Sequence, residues 1–113
     1  PVLLFAAGDP EAEADILRTF AADTRASATA LTEAAEQRDT RKLSHIAHKL
    51  LPRYRDLHVQ PLVEVFAAWA GQCDGFAWED GIPEKVEEIT KEMQKWAAEA
   101  EKKANFALSK KKE

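Results

Sequence analysis

The chain has one cysteine, four glycines and no apolar run approaching the roughly 20 residues needed to cross a bilayer. A lone cysteine, Cys73, cannot close an internal disulfide, which excludes a small secreted scaffold stapled by bridges. No signal peptide leads the sequence, so a cytoplasmic, reducing setting without direct membrane contact is expected. Beginning at Pro1 rather than at a methionine, the chain is expected to be a domain of something longer. No stretch alternates polar and apolar residues at period two, so no strand is expected. What the chain does have is Ala, Leu, Glu and Lys, residues that lose little freedom in a helix. Its 113 residues suffice for one domain.

Four helices follow from start signals and apolar periods, at about residues 10–38, 40–57, 61–71 and 84–109. Asp9-Pro10-Glu11 opens the first, with a cap, a proline suited to the first turn and acids at the positive end of the dipole. Its expected buried stripe is Ile16, Phe20, Thr24, Ser27, Leu31 and Ala34. Asp39 caps the second helix, whose stripe is Leu43, Ile46, Ala47, Leu50, Tyr54 and Leu57. Pro61 starts the third, with Leu62, Val65, Phe66 and Trp69 inward, and "CDGFAWEDGIP" is the one clear loop. Pro83-Glu84 opens the fourth, along which Val86, Ile89, Met93, Trp96 and Ala100 take a heptad-like step. Short connections make neighbours antiparallel, so the expected fold is all-α, an up-down four-helix bundle. The leading "PVLLFAA" is expected to pack as a short lid on one end.

The net charge of −4 argues against general nucleic-acid binding, yet the charge is uneven. Residues 38–56 carry six bases (Arg38, Arg41, Lys42, Lys49, Arg53 and Arg55) against Asp39 and Asp56, a local +4, and the remaining residues sum to −8. Such a stretch is either an ordinary solvated helix face or a positive field for a phosphoryl group or an acidic partner.

Within it lies "SHIAHKLLPRYRDL", with two histidines three apart and a proline inside the helical pattern. Each helical residue advances about 100°, which puts His48 about 140° and His45 about 200° from the centre of the apolar stripe. Both should face outward. Ser44 and Pro52, one turn before and after His48, would leave it in a clearing of small side chains, with Arg41 and Arg55 two turns away. Pro52 cannot donate to the carbonyl of His48, so the helix should bend or end its first part beside that residue.

"AHKLLPRYRDL", followed by "PLVEVF" and preceded by "AAEQRDTRKLSHI", resembles the histidine-containing phosphotransfer (HPt) domains, especially those at the carboxyl end of hybrid two-component sensor kinases. The resemblance covers Asp9 to Phe66, and the last helix in pattern only. It implies a four-helix bundle displaying one exposed histidine that carries a phosphoryl group between receiver-domain aspartates, with His48 as phosphoacceptor. The phosphate neighbourhood would then be Arg55, Lys49 and Ser44, and the docking surface Arg41, His45 and Pro52. Partners would be receiver domains of response regulators or hybrid kinases, bringing their own Mg²⁺, and this chain would need no cofactor and no ATP-dependent kinase activity. In the commoner family pattern a lysine follows the histidine by three residues and glycines by four and ten; here Leu51, Pro52 and His58 stand there. Lys49 lies about 100° round the helix from His48, so Arg55, on the same face, is the better neighbour for a phosphoryl group.

Two other readings remain. His45 and His48, with His58 or an acid, could hold a metal, although no cysteine pattern or H-E-x-x-H accompanies them. A helical interaction module with incidental surface histidines needs no chemistry at all.

Overall fold

The computed structural model describes residues 9–71 and 76–111, with side chains up to 109; the "PVLLFAA" segment and Cys73 lie outside the described residues. Four helices form, α1 (Pro10–Glu36), α2 (Thr40–Asp56), α3 (Gln60–Ala70) and α4 (Ile82–Lys111), and no strand is present among the described residues. The fold is all-α. α1 pairs with α4 and α2 with α3, which is compatible with a four-helix bundle. The chain divides into two compact units, Pro1–Ala26 with Lys91–Glu113 and Ser27–Thr90.

In the first unit α1 and α4 run antiparallel, as two polar links show. Arg18 donates to Asn105 Oδ1 at 3.4 Å, and Arg25 pairs with Glu101 Oε1 at 2.6 Å. The hydrogen bond and charge of Glu101 raise the Arg25 guanidinium further above its already high range. Both partners are close to half exposed, so water screens the pair and packing must hold the helices. That packing is mostly alanine: Ala14, Ala21, Ala97, Ala100, Ala104 and Ala107 are buried with Leu17, Thr24 and Met93.

The second unit has the larger side chains. Leu31, Leu43, Leu62, Tyr54 and Phe66 are fully buried, and the Tyr54 and Phe66 rings meet across α2 and α3 at 5.7 Å and 45°. Trp69 stacks on Phe76, Phe76 N–H donates to Thr40 Oγ1, and the Arg38 guanidinium lies 5.4 Å above the Trp78 ring. These three contacts fasten residues 76–78 to α3 and to the α1–α2 corner.

The corners are built alike. At the first, Arg38 N–H bonds Ala35 O and Asp39 N–H bonds Ala34 O, while Arg38 takes φ 53°. At the second, His58 N–H bonds Arg55 O and Val59 N–H bonds Tyr54 O, with His58 at φ 58°. This pair of crossed bonds around one left-handed residue is the Schellman ending, which ordinarily takes glycine at that place. It stops α1 at Glu36, two residues short of the expected 38. Asp39, still part of the first corner, caps the next helix by accepting from Lys42 N–H at 3.0 Å.

The expected stripes of α2 and α3 largely hold, with Ile46, Val65 and Trp69 only partly covered. That of α1 holds for Thr24, Leu31 and Ala34 but not for its other three residues. Ile16 is 40% exposed, and Phe20 and Ser27 are half-buried, whereas Ala14, Leu17, Ala21, Thr24, Ala28, Leu31 and Ala35 are inside. Those seven alternate steps of three and four, the seam along which two helices pack closely. In α4 Ala97 takes the interior place expected of Trp96, which is half-buried.

Candidate functional site

α2 presents a buried side to α3 and a cationic side to solvent. Leu43, Ser44, Ala47, Leu50 and Tyr54 are buried, and Leu57 follows at the corner. Arg41, Lys42, His45, His48, Lys49, Pro52 and Arg55 are all exposed. The helical angle of His48, well away from the apolar stripe, accounts for its position.

Ser44 departs from expectation. It is only 2% exposed, so its hydroxyl is not part of the surface around His48. On the helical wheel it falls about 40° from His48 toward the core, and the buried band of α2 is wide enough to take it in. Its small size still leaves no bulky side chain one turn before His48, and exposed Pro52 follows one turn later.

α2 continues through Pro52 to Asp56 rather than stopping at Leu51. Because proline has no N–H, the His48 carbonyl lacks its usual donor four residues on. Packing of Leu50, Tyr54 and Leu57 on the buried side holds the helix across this gap. The last turn carries Arg53 and Arg55, where the negative end of the helix dipole favours cations. The first turn carries Arg41 and Lys42 and no acid. Read from the sequence, Lys42 counts only among the bases of this stretch and Ile46 lies wholly in the apolar stripe; the acid at this end of α2 is the capping Asp39, one residue before the first turn.

Arg41, Lys42, His45, Ile46 and Lys49, with Asp39, line a shallow depression of about 410 Å³ on the flank of α2. Ile46 is its half-buried apolar floor. His58, at the far corner, is exposed but contributes through its backbone conformation. For the metal alternative, no group of three or more His, Cys, Asp or Glu side chains able to hold an ion occurs among the described residues. No helix among them is long and apolar enough to cross a membrane.

Arranged this way, the surface offers a nucleophilic imidazole on a helix with small neighbours along its axis and guanidinium groups two turns to each side. The chain matches no protein-family model, no curated protein and no solved structure.

Proposed function

We propose that the chain is a phosphorelay intermediate of the HPt kind, in which His48 accepts a phosphoryl group from a receiver-domain aspartate and passes it to another receiver. The exposure of His48 on a helix whose opposite side is buried carries this reading. A receiver's phosphorylated aspartate is recessed, so the acceptor must project from a convex surface and lack bulky neighbours along its axis. Ser44 and Pro52 meet that condition by size, the first from within the core and the second at the surface.

In the transfer, a neutral ring nitrogen of His48 attacks phosphorus in line with the aspartyl oxygen. The N–P bond forms, the P–O bond to the aspartyl group breaks, and the carboxylate leaves with the bond's electron pair. The proton on the other ring nitrogen stays where it is, and the reverse sequence loads a second aspartate. Mg²⁺ and the carboxylates that bind it belong to the receiver. Arg55 and Arg41 supply positive charge on His48's side of α2 without touching the proton balance. The setting that suits this function is the cytoplasm, alone or at the end of a hybrid kinase.

The test mixes the purified chain with receiver domains charged by acetyl phosphate. One phosphoryl group should appear on the chain by mass, labile in acid and stable in base, and His48→Gln should not acquire it. Label that persists in His48→Gln removes the assignment of His48. A wild-type chain that no charged receiver labels leaves an interaction module instead.

A further inference from the structure

Between the last turns of α1 and the first turns of α4, the second unit holds a cavity of about 530 Å³ to which no residue of α2 contributes. That volume is in the range of a small-molecule site. Ala35 and Val86, both buried, and the half-buried Trp78 give it an apolar wall. Its polar side chains are mostly acceptors. Glu36 and Glu87 bring carboxylates, and Glu36 has no ion-pair partner among the described residues. Thr32 and Thr90 give their hydroxyl protons to the carbonyls of Ala28 and Glu87, at 3.1 and 3.0 Å, so each has only acceptor capacity left for the cavity. At the start of α4 the Ile82 and Lys85 N–H groups are bonded to Glu79 O and Gly81 O, and Pro83 has no N–H, so these three offer nothing to an anion. The one cation in the lining, Arg38, shows what the ring accommodates: its guanidinium lies 5.4 Å above Trp78. Residues 76–90 carry five acids against Lys85, which is itself paired with Glu88, so the local field draws cations.

We propose that this cavity binds a small organic cation, an amidinium, guanidinium or ammonium group on a flat apolar body. The charge lies toward Glu36 and Glu87, and the body lies against Trp78 and Val86. Donors on such a head group meet carboxylates and hydroxyl oxygens, while the body covers apolar wall that is otherwise wet. Arg38 is exposed at the corner and yields the ring face to the ligand by swinging into solvent, so it acts as an internal competitor. The site is separate from His48 and does not depend on the phosphotransfer reading.

The test follows the indole N–H signals of the isotope-labelled chain in titrations with benzamidine, with its uncharged counterpart benzamide and with its anionic counterpart benzoate. Benzamidine should shift the Trp78 signal saturably, with a millimolar or tighter dissociation constant, roughly fivefold or more below that of either counterpart. Trp96 is the internal control, because the charges around it on α4, Glu92 and Glu99 against Lys95 and Lys103, balance; its signal should not move. Glu36→Gln with Glu87→Gln, exposed changes that keep size and polarity, should weaken benzamidine roughly threefold or more. Arg38→Gly suits the left-handed corner, removes the competing guanidinium and should tighten benzamidine roughly twofold or more. Benzoate binding as tightly as benzamidine, an equal shift at Trp96, or no saturable shift at all would overturn the site. So would unchanged affinity in the glutamine variant or weaker affinity in Arg38→Gly.

Discussion

Two residues, Arg38 and His58, hold left-handed backbone conformations that a side chain with a Cβ resists by about 1–2 kcal/mol. They differ in what offsets the cost. Arg38 lies over Trp78, a contact worth about 0.5–1 kcal/mol at an exposed site. His58 is exposed, and its side chain has no such ring beneath it among the described residues. His58→Gly should accordingly stabilise the fold by about 0.5–1 kcal/mol, after the extra freedom glycine gives the unfolded chain is subtracted. Arg38→Gly should change it by less than half as much. Urea midpoints at unchanged slope would check both, and a loss of stability in His58→Gly would mean that the imidazole makes a contact of its own. Residue-scale chemistry separates Arg55 from Lys49 as well. Arg55→Ala should lower the transfer rate at saturating receiver, and Lys49→Ala should mainly raise the receiver concentration needed to reach it. The same concentration series reads both parameters.

At the scale of the element, α2 combines a proline with an unbroken helical span. Proline in a helix interior costs up to about 3 kcal/mol through the lost donor and the clash with the preceding turn. Some of that is recovered because proline also restricts the unfolded chain. Pro52→Ala should therefore raise stability by about 1 kcal/mol, with a newly protected amide at position 52 in hydrogen exchange; an unprotected amide would show that the His48 carbonyl is already engaged. The elements were also the most legible part of the sequence. Asp9, Asp39, Pro61 and Pro83 mark helix starts within two residues of those observed, since caps and first-turn prolines act locally. The facing of α1 was only half legible, Thr24, Leu31 and Ala34 being buried as expected. Ile16 and Phe20 outrank alanine in any hydrophobic scale, yet alanines at 14, 21, 28 and 35 line the buried seam. Close approach of two backbones selects small side chains, and that demand comes from the partner helix rather than from α1 itself. Ser44 was misplaced for a related reason, being small enough to lie within the covered band of α2.

Across the whole molecule, the two compact units differ in what they bury. Among the described residues the first closes on alanines with one leucine and one methionine, and it contains Thr24, whose buried hydroxyl has no hydrogen-bond partner among them. The second encloses tyrosine, phenylalanine and several leucines. Local opening is governed by the apolar contact that must be lost, so amides of residues 14–21 and 97–107 should exchange at lower free energy than those of residues 43–50 and 62–66. Native-state exchange across a denaturant series would show it, and equal protection throughout would mean that the chain opens only as one. Charge divides along the same line: the first unit's acids and bases balance, and the whole excess of −4 falls in the second.

The doubled use of Asp39 has one more consequence. Because it still belongs to the ending of α1 while capping α2, the corner has no spare residue, and the azimuth of α2 is fixed from outside that helix. Adding or removing one residue there would ask the helix to turn by about 100°, in one of the two senses enough to carry the imidazole toward the interior, or else to give up the paired bonds of the corner. Point changes on the surface of α2 can adjust affinity in small steps. A change of length at its corner would re-aim everything the helix displays.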